Sequence, residues 1–206
     1  MKKILKILKW IGIVLLGAFI ILVVIRAFHF YNLDKTNEQV AKIHATRLKL
    51  SDVMGENLPP DPGEEADKTV AGVDGNQNGI RDDVELAIFK EYPDSAKTRA
   101  VLLQYALALQ MQTTQEILNE ETTTQIAEEN SRARTCIADN LVPRKTPESS
   151  RSYEEVEKIN LYIKFIENLQ FNTEEKKKAD EDFYKKLSNF VTLKSDQSCD
   201  IDSSSF

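Results

Sequence analysis

Residues 10–25 read WIGIVLLGAFIILVVI, and this stretch decides the fold. Every position is apolar or glycine, and a helix apolar all round its circumference belongs in a protein core or in a bilayer. From Trp10 to Tyr31 a helix rises about 32 Å, close to the thickness of a bilayer's hydrocarbon layer. Trp10 marks one interface, and Phe28, Phe30 and Tyr31 mark the other, where amphipathic rings prefer the headgroup region. Arg26 reaches the nearer interface along its own stem. Lys2, Lys3, Lys6 and Lys9 precede the span, only Arg26 directly follows it, and the first 26 residues hold no acid. That asymmetry predicts a cytoplasmic N-terminus and a remainder on the far side of the membrane. A cleaved signal peptide shares the basic start and the apolar run, but its cleavage site wants small residues in an A-x-A-like pattern. Arg26-Ala27-Phe28-His29-Phe30-Tyr31 does not supply that pattern, so the segment is expected to stay as an anchor. Residues 10–25 also lack the polar face that a helix lying in the interface needs.

All 33 acids and the remaining 22 cations lie beyond Arg26, which gives the outer segment a net charge of −11. Such a surface repels nucleic acid and anionic lipid, and it suits a domain that tolerates or uses divalent cations. About 175 residues suffice for one modest core, and no internal repeat or long low-complexity tract is present. The two cysteines, Cys136 and Cys199, both fall on the side predicted to be oxidising. A disulfide between them is therefore expected, closing a loop of roughly 60 residues.

The expected fold class is mainly α, with one N-terminal transmembrane helix followed by an extracytoplasmic helical domain. Residues 1–31 form the cytoplasmic tip and anchor. Residues 32–54 form a juxtamembrane helix, since Val40, Ile43, Leu48 and Val53 sit among polar residues with no Gly or Pro from Asn37 to Met54. Residues 55–73 are a linker or packed loop, broken by Gly55 and by Pro59-Pro60-Asp61-Pro62-Gly63, with residues 69–73 briefly extended. Residues 74–194 form the helical domain. Asp82 to Tyr92 is its first short helix, and Pro93-Asp94-Ser95 stops it and caps the next, in which Val101, Leu102, Tyr105 and Leu109 share a face. Residues 123–141 place Ile126, Ala133, Ile137 and Leu141 inward, and Pro143 and Pro147 make the following connection. Residues 149–171 carry the strongest amphipathic pattern, with Val156, Ile159, Ile163, Ile166 and Leu169 inward. Asn172 or Thr173 caps a last helix running to about Val191, with Ala179, Phe183, Leu187 and Phe190 inward. Residues 195–206 are a polar tail, expected to be loose apart from Cys199.

One dense constellation carries chemistry, the twelve residues Asp74-Gly75-Asn76-Gln77-Asn78-Gly79-Ile80-Arg81-Asp82-Asp83-Val84-Glu85. Calcium takes six to eight oxygens at flexible geometry, and alternate residues of a tight loop can aim short Asp and Asn side chains at one centre. Asp74, Asn76 and Asn78 stand at positions one, three and five. Gly79 permits the sharp turn at position six that lets the Ile80 carbonyl face the ion. Asp82 at position nine ligates directly or through water, and Glu85 at position twelve closes the sphere with both oxygens. A bare Asn/Asp/Gly turn capping the next helix is the plainer reading. A turn alone, however, requires neither Glu85 nor the alternation of three oxygen-bearing residues. Three charged ligands predict a low affinity, about 10⁻⁴ to 10⁻³ M, and hence a structural ion.

At these residues the sequence resembles the EF-hand loop, and more closely the thrombospondin type 3 and dockerin-like loops of secreted and surface proteins. Position eight, usually apolar in EF-hand and dockerin loops, is Arg81, and the apolar residue is Ile80 at position seven, an arrangement that looks like the thrombospondin type. The segment upstream is rich in Pro and Gly, so no entering helix is expected, and a paired cytosolic calcium sensor is not implied. Leu58-Pro59-Pro60-Asp61-Pro62-Gly63-Glu64 together with the loop resembles a block found in uncharacterised bacterial envelope proteins. That likeness implies a bacterial envelope location and no activity.

Two functional classes follow. The first is a non-enzymatic envelope protein whose calcium-braced helical domain serves structure or binds a protein partner. The alternative is an envelope hydrolase of cell-wall glycan built on paired carboxylates. Against an enzyme, His29 lies at the membrane edge and His44 in the juxtamembrane helix, so neither a triad nor a zinc site assembles. The chain has no G-x-S-x-G, no H-E-x-x-H and no phosphate-cradling glycine loop. Glu128-Glu129 and Glu154-Glu155 are read as surface residues.

Overall fold

The computed structural model describes residues 2–146, 149–188 and 197–202. Pro147, Phe190 and Val191, and half of the tail from Ser195, lie outside the described residues. Helices take up 71% of the described residues, among which there is no strand. Helix α1 runs unbroken from Lys2 to Ala45, about 66 Å at 1.5 Å per residue. It is the one helix among the described residues long and apolar enough to cross a membrane, and its apolar stretch packs against nothing. Exposed Trp10, Phe28 and Tyr31 lie along it. Beyond Tyr31 the same helix enters the domain, where Thr36, Gln39 and Ile43 are buried.

The helix expected to run through to Met54 is instead broken. α1 ends at Ala45, residues 46–49 are not helical, and α2 (Leu50–Met54) starts afresh. The cause is tertiary. Leu48 and Val53 are both buried, and the Leu48 N–H, freed from the helical ladder, donates to the Asp200 carboxylate at 3.0 Å. The Pro/Gly segment then makes a 3₁₀ helix at Gly63–Asp67. Of residues 69–73, expected to be extended, 69–71 form bends, with the Gly72 N–H bonded back to the Thr69 carbonyl.

Helices α3 (Asp82–Glu91), α4 (Ala96–Thr114), α5 (Glu120–Leu141), α6 (Tyr153–Gln170) and α7 (Glu174–Lys186) complete the domain. Ser95 and Thr173 cap α4 and α7 through their hydroxyls, and Ser152 caps α6. α4 is the centre, packed by α2, α3, α5, α6 and α7. Every residue from Arg99 to Gln112 is buried, so its polar members must find partners inside. Arg99 donates to the carbonyls of Val53 and Tyr92, Gln104 to that of Ser198, and Gln110 to that of Ala71. These bonds tie the irregular segments to the central helix.

α6 buries Ile159, Ile163 and Ile166 as its spacing predicts, but Val156, expected inward, is 42% exposed. It lies in the first turn, beyond the reach of the helices that cover the rest of the stripe. The last helix stops at Lys186 rather than near Val191, and Leu187 caps it in an extended conformation. The sulfurs of Cys136 and Cys199 are at disulfide distance, with Cα atoms 5.1 Å apart. The bond holds residues 197–202 against α5.

Candidate metal centre

The loop 74–85 is closed at its neck by the Asp82 N–H, which donates to the Val73 carbonyl at 2.9 Å. Inside, carboxylates and amides fold onto backbone donors. Asp74 accepts from the N–H groups of Asn78 (3.1 Å) and Gly79 (2.9 Å). Asn76 Oδ1 also accepts from the Asn78 N–H, at 3.3 Å, and Asn78 Oδ1 accepts from the Ile80 N–H at 2.8 Å. Both Asp82 oxygens lie 3.0 Å from the Gly75 nitrogen. Glu85, in the first turn of α3, accepts from the side-chain amides of Asn76 (3.0 Å) and Asn78 (3.1 Å) on Oε2. Ile80 is fully buried and pins the loop to the core.

Gly79 is favoured first by its backbone conformation. Its φ is +86°, and a Cβ there would stand 2.7 Å from Leu107 Cδ1 on α4. Any side chain would meet both backbone strain and the central helix.

Electrostatics set this loop apart. Glu85 is 1% exposed, and burial pushes its carboxyl up to about 7 against the hydrogen bonds from Asn76 and Asn78, with Asp52 and Asp82 adding to the rise. Asp82 is raised as well, chiefly by burial. Among the described residues no Lys, Arg or His forms an ion pair with Asp74, Asp82 or Glu85. The nearest cation in sequence, Arg81, turns its fully buried side chain away from them. Its guanidinium donates to the Gln170 carbonyl at 2.8 Å and to Asp83. Position eight of the loop thus anchors α3 to the end of α6.

Comparison with protein-family models, with curated proteins and with solved structures finds no match.

The donor set bears on whether an ion fits. Carboxylate, amide and carbonyl oxygens are hard donors of the kind calcium takes, and residues 74–85 include no Cys, Met or His to favour a transition metal. Among the described residues, however, no group of three or more His, Cys, Asp and Glu side chains is gathered closely enough to hold a metal. In this structure the amide N–H groups of Asn76 and Asn78 satisfy Glu85, so a bound ion would replace those two hydrogen bonds with oxygen contacts. Asp52 and Asn57 lie outside the twelve residues and carried no sequence signal. Asp52 sits near Glu85, and the Asn57 carbonyl accepts from the Asn76 amide at 3.0 Å.

A second charged centre was misread as surface. Glu129 is 4% exposed and accepts from Arg47 at 2.5 Å and Arg132 at 2.9 Å, with His44 Nδ1 at 3.3 Å. Asp200 accepts from Arg132 at 2.6 Å. Burial pushes Glu129 up, but Arg132 and Arg47 outweigh it and hold the carboxyl below its ordinary range. The signal was present, since Glu129 follows Ile126 by three and precedes Ala133 by four, which puts it on the buried stripe.

A carboxylate hydrolase needs two acids facing one substrate. Asp180 is pushed up to about 6, first by burial and then by Glu167. Asp180 nonetheless accepts from Gln112, and Glu167 accepts from the Tyr105 hydroxyl at 2.8 Å. Each of these two bonds joins α4 to a neighbouring helix, Asp180 lying on α7 and Glu167 on α6.

Proposed function

We propose that the chain is a single-pass envelope protein whose helical domain lies outside the cytoplasm and is braced by a low-affinity calcium ion at Asp74, Asn76, Asn78, the Ile80 carbonyl, Asp82 and Glu85. Its role is structural or interactive, without catalysis of its own. The observation that carries the calcium reading is Glu85. A buried acid with a raised pKa and no cationic side chain to pair with costs stability in a bare turn, and it makes sense as one ligand of a cation. The lysine asymmetry around the span and the cysteine pair support the outward orientation. A reporter that works only outside the cytoplasm, fused after Phe206, should be active. Activity of a cytoplasm-only reporter at that position would overturn the orientation.

The calcium reading is tested by melting. Binding to the native state alone stabilises by about 1.4 kcal/mol at tenfold excess over Kd, a few degrees for a domain of this size. Magnesium should do much less, because it dehydrates reluctantly and demands rigid octahedral sites. Asn76→Ala should weaken the calcium effect, and Glu85→Ala should abolish it while leaving the helical signal intact. The effect should also depend on pH. With its folded pKa raised to about 7 from 4.5, Glu85 holds a proton that the unfolded chain releases, so in chelator stability falls as pH rises between those values. Calcium favours the ionised form, so its stabilisation should grow from pH 5.5 to pH 8. Identical melting of wild type and Glu85→Ala in calcium and in chelator would reduce the loop to a turn.

A further inference from the structure

Because α1 is unbroken from Lys2 to Ala45, position along it converts to height above the membrane. With Tyr31 at the edge of the hydrocarbon, Thr36 lies about 8 Å and Gln39 about 12 Å beyond it. The headgroup layer is itself about 5 to 8 Å deep. The turn between α4 and α5 is fixed at this height. Thr36 Oγ1 accepts from the Asn119 amide at 2.7 Å, and the Gln39 amide donates to Gln115 at 3.0 Å. α7 ends at the same level, where the Ser188 hydroxyl donates to Glu120. Between the turn and α7 lies a cavity of about 300 Å³, walled by Gln115, Ile117, Asp182, Phe183 and Lys186. One ammonium and one carboxylate therefore border a partly apolar pocket at the end of the domain from which the apolar part of α1 projects. Leu118, beside it, is 37% exposed.

We propose that this end of the domain docks on zwitterionic phospholipid headgroups, with Leu118 seated among them and the cavity receiving one headgroup, phosphate toward Lys186 and ammonium toward Asp182. The inference rests on reading α1 as the membrane span. Anionic lipid is the poorer occupant, since Glu116, Glu120 and Glu121 border the same turn and repel it. The exposed Asp182–Lys185 pair at 2.7 Å is of the kind that contributes little, so Asp182 is free to exchange its partner.

The chain contains one tryptophan, Trp10, which allows a test by fluorescence. The full chain is reconstituted into phosphatidylcholine vesicles containing phosphatidylcholine with a nitroxide on its headgroup. In a Trp10→Phe background, Leu118→Trp should be quenched at least twofold more than Leu161→Trp. Leu161 is 67% exposed and lies beside Leu141 and Val142 at the far end of α5, roughly 30 Å along that helix from the turn. Lys186→Glu, on an exposed residue, should lower the Leu118→Trp quenching toward the Leu161→Trp level. Equal quenching at the two positions, with Trp10 of the wild-type chain still quenched, would overturn the docking while leaving the span intact. An unquenched Trp10 would overturn the span itself. Quenching at Leu118→Trp that ignores Lys186→Glu would overturn the headgroup cavity.

Discussion

Replacing Cys199 by serine should lower the melting temperature of the folded chain by about 10 °C. The cysteines are 63 residues apart in sequence, and on the chain-entropy model closing a loop of that length stabilises the fold by about 4 kcal/mol. A domain of this size shifts by a few degrees per kcal/mol. The loss should exceed what two missing sulfur contacts explain, because the bond also seats residues 197–202. Asp200 in that segment receives Leu48 N–H and Arg132, and the Ser198 carbonyl receives Gln104. Cys199 is the better position to change, since Cys136 is 1% exposed and a serine there would add a buried hydroxyl. Calorimetry of the variant and of the reduced wild type should agree. A shift below 2 °C in both would mean that the strap is held by its hydrogen bonds alone.

Glu129→Ala should cost about 3 kcal/mol, the low end for breaking a buried ion pair. Arg132, 14% exposed, would keep Asp200, and Arg47, 37% exposed, would recover water. The neighbouring half-buried Glu128 serves as control, with an expected change within about 0.5 kcal/mol. The sign of the pH dependence follows from the lowered carboxyl. Its contribution is present above the unfolded value of 4.5 and is lost as pH falls through the lower folded value. Urea titrations should therefore separate Glu129→Ala from wild type clearly at pH 7 and only weakly near pH 3. Equal stability at pH 7 would place the charge network outside the cooperative core.

The helices that answer to local rules were legible in the sequence. The apolar run at residues 10–25, the caps at Ser95 and Thr173, the stripe of Ile159, Ile163 and Ile166, and the cysteine pair needed only periodicity and composition. What escaped was set by partners distant in sequence. The break at residues 46–49 has no Gly or Pro, and it depends on Asp200, 152 residues away. α4 announced one apolar face, yet it is buried on all sides because its Gln and Arg side chains find carbonyls on irregular segments. Arg81 looked like a departure from the loop pattern, and its role is visible only beside Gln170 and Asp83. Within the candidate centre, the alternation of Asp74, Asn76 and Asn78 and the glycine at position 79 were readable. The burial of Glu85 and the approach of Asp52 and Asn57 were not, since nothing local marks them.

The central claim, a calcium ion bracing the loop 74–85, is tested most directly by isothermal titration of the detergent-solubilised full chain. Calcium should bind at one site with a Kd of about 10⁻⁴ to 10⁻³ M, magnesium should give little heat under the same conditions, and Glu85→Ala should remove the calcium signal. Absence of calcium heat in the wild-type chain, or the same heat in Glu85→Ala, would contradict the account.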